Sequence, residues 1–368
     1  MNRKIIHSIL TLFAFLWVGA TAQEEDKKAL LFDASYVGDF VNNLHGGIKT
    51  GSAYLGMVNL FVEFNTGKAG LWKGGTFATL LTNTHGAMPS KNLVGDAQGF
   101  SNIEAGNHTF VQTLWYKQKI GKLELTIGLQ DLTVEFANFD YGNLYINSSF
   151  GTSPSITQNV PAPVFPLTSL GFTARWNVSE KFICLAAVYD DTPTNFKDDP
   201  YNLKWQLRKN NGYIFISEMQ FNVGVGTYKA GILYSTHTED DEAEDIVNLY
   251  LNANQQIWKQ DERRLGIFLE LGHTPTNAAC CQSSASFGVN YKGLFNAKGK
   301  DEIGIAFSYE HYTAKGLKPE TAIELTYKYC LLDQLYIQPN IQYIINPAGT
   351  GINLDNALLA TIRFGIEF

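Results

Sequence analysis

The stretch Leu359–Phe368 reads Leu-Ala-Thr-Ile-Arg-Phe-Gly-Ile-Glu-Phe. Ala360, Ile362, Phe364, Ile366 and Phe368 alternate with Thr361, Arg363, Gly365 and Glu367. A period of two is the mark of a strand with one apolar and one polar face. The same alternation recurs through the chain. Leu123, Leu125, Ile127 and Leu129 oppose Lys122, Glu124, Thr126 and Gln130. Ile303, Ile305, Phe307 and Tyr309 oppose Ser308 and Glu310, and Ile323, Leu325, Tyr327 and Tyr329 oppose Glu324, Thr326 and Lys328. Periodicity by itself does not say whether the apolar face meets a protein core, as in a soluble sandwich, or lipid, as in a transmembrane barrel.

Both ends of the chain bear on that choice. Arg3 and Lys4 precede a short apolar stretch, Ile9 to Val18, and Ala20-Thr21-Ala22 offers small residues at a cleavage position. Residues 1–22 therefore predict a cleaved secretory signal, leaving 23–368 as one exported barrel. The apolar stretch is short of the ~20 residues a spanning helix needs. Elsewhere the longest apolar run is Phe182 to Tyr189. If the chain enters a membrane, a closed barrel is the remaining way, because lipid satisfies no open sheet edge. The final strand, ending on Phe368, resembles the closing strand of outer-membrane barrels, which doubles as a signal to the barrel assembly machinery.

The connections alternate between short and long. Short turns fall near residues 65–74, 120–122, 178–181, 223–226, 259–263, 296–301 and 331–334. Longer loops fall near 44–50, 84–107, 133–168, 191–211, 238–245, 273–284, 313–319 and 346–355. Seven turns and eight loops predict an all-β chain: a transmembrane antiparallel up-and-down β-barrel of about 16 strands, with both ends on the turn side. A barrel of that size encloses a water channel. Trp115, Tyr116, Trp176, Trp258 and Tyr336 lie at strand ends and suit interfacial girdles.

Composition excludes more than it assigns. The 28 Lys and Arg face 35 Asp and Glu, a formal charge of −7. Without Arg3 and Lys4 the exported part stands at −9, which argues against a nucleic-acid partner. Cys184, Cys280, Cys281 and Cys330 outline no disulfide framework. The histidines are scattered, without HExxH spacing, and no nucleophile motif is apparent, so neither metal, cofactor nor enzymatic activity is expected. The acidic run Glu239 to Asp245 reads as a solvated loop tip with an alternative as a divalent-cation binder.

Specific motifs appear from Gly70 onward: Gly70-Leu71-Trp72-Lys73-Gly74-Gly75-Thr76-Phe77, then Thr84-His85-Gly86, Gly95-Asp96-Ala97-Gln98, Ile127-Gly128-Leu129-Gln130-Asp131, Glu135-Phe136-Ala137 and Asn147-Ser148-Ser149-Phe150-Gly151. Asn290-Tyr291-Lys292-Gly293-Leu294-Phe295 and Ile337-Gln338-Pro339-Asn340 continue the series. In this order they resemble the carbohydrate-selective porin family of OprB type. That resemblance implies an outer-membrane pore passing sugars by diffusion, surrounded by lipid and lipopolysaccharide, and leaves open a homotrimer. Leu269-Glu270 stands where related chains often carry Arg, which implies a less cationic lumen. The alternative is a barrel whose loops bind a ligand or partner without forming an open channel.

The longest connection, Thr133–Thr168, is expected to fold into the lumen. Phe136, Phe139, Tyr141, Tyr145 and Phe150 would stack on sugar rings, and Glu135, Asp140, Asn143 and Asn147 would bond their hydroxyls. Arg175 would face this loop across the narrowest point. Glu270, Glu310, Glu324, Lys328 and Arg363, on polar strand faces, are expected to point to lumen water, since a mid-depth Arg or Lys in lipid costs about 2–4 kcal/mol.

Overall fold

The structure, a computed structural model, describes residues 28–368 apart from 194, 206–211, 237, 240, 241, 244, 277 and 278. The expected signal, 1–22, lies outside the described residues. So do residues 240, 241 and 244 of the acidic run, whose described backbone forms part of the small hairpin β10 (Thr238–Glu239) and β11 (Glu242–Ala243).

Sixteen further strands close into one antiparallel barrel. They are β1 (Leu30–His45), β2 (Gly51–Asn65), β3 (Gly75–Gly86), β4 (His108–Ile120), β5 (Leu123–Gln130), β6 (Ser169–Ser179), β7 (Phe182–Asp190), β8 (Tyr213–Val223) and β9 (Gly226–Ser235). After the hairpin come β12 (Ile246–Gln260), β13 (Arg263–His273), β14 (Cys281–Lys292), β15 (Asp301–Tyr312), β16 (Glu320–Cys330), β17 (Leu335–Ile345) and β18 (Ala357–Glu367). Short turns occupy one rim and long loops the other, in the rhythm read from the sequence.

Burial decides which solvent the barrel faces. Leu269, Phe287, Ile305, Leu325 and Ile341 are each 40–51% exposed, whereas Glu270, Ser286, Glu310, Glu324 and Asn340 between them are at most 3% exposed. The apolar set is outside and the polar set inside, the reverse of a soluble sandwich and the arrangement of a barrel in lipid. Leu129 departs from its strand-mates and is fully covered. Trp176 and Trp258 face outward, and Trp258 stacks on Tyr291. Trp115 and Tyr336 do not join this girdle. They pair with Ala78 and Gly365 on the inner face, where the ring of Tyr336 fills the space left by the bare Gly365 and Lys328 lies over it. All four cysteines are unpaired.

The barrel closes where β18 pairs with β1, and the chain's last residue extends the ladder. Phe368 N donates to Ala34 O at 2.8 Å and Ala34 N to Phe368 O at 3.1 Å. On the inner face Asp39 and Arg363 are register partners across this seam. Arg363 Nε and Nη2 donate to the two Asp39 carboxylate oxygens at 2.7 and 2.9 Å. The bidentate fork is buried, and Ser101 and Asn102 complete it. Arg363 therefore faces inward as expected but meets a partner carboxylate, not lumen water. Removing one member of a buried pair typically costs about 3–5 kcal/mol, because the other charge is stranded. Arg363→Leu should lower the urea midpoint of the barrel in detergent micelles by that order, and adding Asp39→Asn should recover part of the loss. A single variant as stable as the parent would contradict this account of the seam.

Candidate functional site

Two loops from the long-loop rim turn inward. The larger, residues 131–168 between β5 and β6, is stitched at its base by Asp131. One carboxylate oxygen accepts from Thr133 N at 2.9 Å and the other from Phe165 N at 3.0 Å. Burial raises this carboxyl above its ordinary range, and the bonds from Thr133 and Phe165 oppose the shift. Between these ends the loop makes turns at Leu132–Val134, Asp140–Leu144 and Ser148–Phe150 and a one-turn helix, Pro154–Thr157. Proline suits the first helical position, where its missing N–H would have no partner. The smaller loop, 87–107, joins it through Asn102 N to Ile146 O and Ser148 N to Gly99 O.

Apolar docking holds the large loop against the wall. Leu132, Phe136, Ala137, Ile156, Val160 and Ala162 pack on Ile183, Leu185, Ala187, Tyr189, Ile214, Ile216 and Leu233, which are inward residues of β7, β8 and β9. Further round the wall, on β13 and β15, Phe139, Leu144, Tyr145 and Phe150 pack on Phe268 and Ala306. Phe136, Phe139, Tyr145 and Phe150 are at most 1% exposed. They cannot offer a face to a passing sugar, contrary to the reading from sequence. Each buried ring instead stabilises the loop's seat by roughly 1.5–3 kcal/mol. A bare wall makes room for them: a Cβ at Gly304 would lie 2.5 Å from Tyr145 Oη.

Carboxylates of the wall hold the loop backbone. Glu324 on β16 accepts from Ile146 N at 2.8 Å and Asn147 N at 2.9 Å. Glu218 on β8 accepts from Ala137 N at 2.8 Å, at a residue whose φ of 52° needs such support. Glu270 accepts from Ser153 Oγ at 2.5 Å and Ser284 Oγ at 2.9 Å, and Glu310 from Ser149 Oγ at 3.4 Å. Glu320 likewise receives Ala97 N and Gln98 N of the smaller loop at 2.9 and 3.0 Å. Glu270, Glu310, Glu324 and Asn147 are thus covered by the loop and removed from water. The polar strand face of Glu270, Glu310 and Glu324 correctly places these three inward, but no strand pattern shows what lies opposite, and Asn147 belongs to the loop itself.

Glu135, Asp140, Tyr141 and Arg175 remain accessible. Glu135 accepts from Arg175 Nη1 at 2.9 Å and from Lys117 Nζ at 3.2 Å. Lys117 was not singled out from sequence, although its place opposite Thr76 on alternating β3 and β4 already directs it inward. Two cavities flank Asp140 and Asn143. One, of about 730 Å³, opens toward the long-loop rim and is lined by residues such as Asn102, Thr133, Asn138, Ser148 and Gln158. The other, of about 380 Å³, lies toward the turn rim and is lined by Tyr141, Thr227, Asn254, Arg264, Glu302 and Lys328 among others. Asp140 and Asn143 line both. In the smaller loop, burial pushes the Glu104 carboxyl up to about 7 although Ser90 N donates to it at 3.0 Å. Burial likewise raises Asp96.

Known proteins match this architecture. The model of the carbohydrate-selective porin, OprB family, matches residues 49–368. Porin B of Pseudomonas aeruginosa is 25% identical over 95% of this chain and 90% of its own length. The putative porin QuiX of Acinetobacter baylyi is 23% identical over 95% and 92%. A solved high-pH structure of OprB from Pseudomonas putida is 21% identical, covers 96% of this chain and 97% of its own, and superposes with a TM-score of 0.83. With a sixteen-strand barrel and a family match across most of its length, the chain belongs to the carbohydrate-selective porin family of OprB type.

Proposed function

We propose that this outer-membrane porin passes small sugars by diffusion through a neck formed by the 131–168 loop. The observation that carries the reading is the pair of cavities meeting at Asp140 and Asn143. Both side chains are exposed, and a carboxylate beside an amide can exchange hydrogen bonds with a hydroxyl in either direction. Glu135, with Lys117 and Arg175, supplies a second polar group of mixed sign on the loop. The one carboxylate is shared by two cations and all three groups are partly solvated, so acceptor and donors alike remain open to a hydroxyl. The buried rings and Glu218, Glu270, Glu310 and Glu324 keep the loop from swinging out. Deleting residues 143–161 would therefore strand several wall carboxylates, so the neck is better tested by point changes.

Liposomes carrying the parent should swell faster with monosaccharides than with disaccharides. Asp140→Ala and Asn143→Ala, alone and together, should raise the relative disaccharide rate while heat-modifiable migration shows a folded barrel. Folded variants with the parent's size limit and sugar ranking would remove the neck from this place. Planar-bilayer conductance separates an open channel from a barrel that only binds a ligand or partner, since the latter carries no steady current.

In the same reading, the turn rim faces the periplasm, as short turns do in bacterial barrels. Gly316, on the long-loop rim, and Gly224, in the β8–β9 turn, both have open space around them. An epitope inserted at Gly316 should be reached by antibody on intact cells, and one at Gly224 after the outer membrane is permeabilised. The reverse pattern would invert the orientation.

A further inference from the structure

The cavity of about 380 Å³ on the turn-rim side of the neck is walled by strand ends of β9, β12, β13, β14, β15 and β16 and roofed by Asp140 to Leu144 of the large loop. Its roof is held in place with little freedom. Tyr141 N donates to Asn254 Oδ1 at 3.2 Å, and Tyr141 O accepts from Asn290 Nδ2 at 2.8 Å. The Tyr141 ring lies against the bare backbone of Gly266, where a Cβ would meet it at 2.1 Å. A ring so placed is a rigid element of the chamber.

Polar capacity in this chamber is left over. Asn254 is 3% exposed, and its Oδ1 is committed to the Tyr141 amide. Its Nδ2 is consequently turned to be a donor, yet it has no partner among the described residues. Arg264 Nε, also on the lining, is buried without a partner among the described residues. Lys328 rests over the Tyr336 ring at 3.8 Å and makes no ion pair among the described residues. Buried donors without acceptors are costly, and each asks for a bound molecule or water that completes it. Glu302, the register partner of Lys328, supplies an acceptor beside them.

We propose that this chamber is a second sugar subsite, distinct from the neck and holding one neutral monosaccharide ring. The proposal rests on the sugar-channel reading and adds a place of residence to the path. Size favours a single ring, because about 380 Å³ lies near the lower end of small-molecule sites, which run from about 300 to 1,000 Å³. Charge favours a neutral one. Arg264 and Lys328 are matched on the lining by Asp140 and Glu302, so a carboxylate or phosphate on the ligand would meet two acids as well as two bases. A hydroxyl, by contrast, can donate to Glu302 while accepting from Asn254 Nδ2 or Arg264. Tyr141 gives the apolar face of the ring an aromatic partner. No bond forms or breaks. The subsite raises the residence of sugar beyond the neck and so makes uptake saturable.

The test uses the full-length barrel in planar bilayers, with D-glucose as the probe added to each side in turn. Glucose should reduce the ion current saturably. Arg264→Ala and Glu302→Gln should each raise the half-saturating concentration by about tenfold, the usual scale for one lost charged hydrogen bond. Heat-modifiable migration should stay that of the parent. Both variants should keep the parent's size limit in liposome swelling, which the neck sets. Glucuronate should bind no more tightly than glucose. A half-saturation unchanged in both folded variants would overturn the subsite. So would a parent that swells with sugars but shows no saturable current, and this outcome leaves the channel reading standing. Absence of swelling with every sugar would sink the channel reading, and the subsite with it. Glucuronate binding tenfold tighter than glucose would overturn the neutral-ring assignment.

Discussion

Every backbone N–H and C=O in the lipid zone has to find its partner in a neighbouring strand, because lipid supplies none. That requirement closes the sheet, and closure brings β18 back against β1. It also turns the usual burial pattern inside out. Leucine, isoleucine and phenylalanine side chains go outward to lipid, and glutamate, asparagine and glutamine go inward. The Asp39–Arg363 fork sits on the inner side of the seam, where the first and last barrel strands meet. There it can be both desolvated and fully bonded, the condition under which a buried ion pair holds a register.

A sixteen-strand barrel is too wide for its wall side chains to meet across the centre. The 131–168 loop takes up that space, and the wall is prepared for it in two ways. Inward residues of β7, β8 and β9 are apolar where strand alternation would lead one to expect polar ones, and they receive Phe136, Ile156 and Val160. Elsewhere, Glu218, Glu270, Glu310 and Glu324 receive backbone amides and serine hydroxyls of the loop. Buried carboxylates without donors would be expensive, so each such contact ties the loop's position to the stability of the barrel. Wall and loop are consequently bonded together, and the proposed neck at Asp140 and Asn143 lies on a segment that the strands hold.

This construction divides the polar residues of the lumen by task. Those that face the loop are anchors and are dry. Among the described residues, those that face the remaining space include Glu135 with Lys117 and Arg175, the pair at Asp140 and Asn143, and the groups around the lower chamber. The first and last of these groups carry charges of both signs, and the pair at Asp140 and Asn143 sets a carboxylate beside a neutral amide. Such a path offers hydroxyls many exchangeable partners and no single deep trap, which suits passage of neutral polar molecules.

Strand number, pairing order and the inward direction of Glu270, Glu324 and Arg363 were legible from alternation and from the rhythm of short and long connections. These depend on local geometry, since a pleated strand sends successive side chains to opposite faces whatever lies beyond. The continuous apolar run Phe182 to Tyr189 also carried a signal that alternation obscures: a strand apolar on both faces has lipid on one side and something greasy on the other. What the sequence could not show was the identity of the opposite partner. Phe136 and Tyr141 stand five residues apart in the same aromatic, polar-flanked loop, yet the first is buried on the wall and the second lines a chamber. The order of residues along the chain determined the barrel, because its ladder joins chain neighbours. Only the tertiary structure decided which inward side chains grip the loop and which meet the solute, because those contacts join residues far apart in the chain, as Asn147 to Glu324 and Tyr141 to Asn254 do.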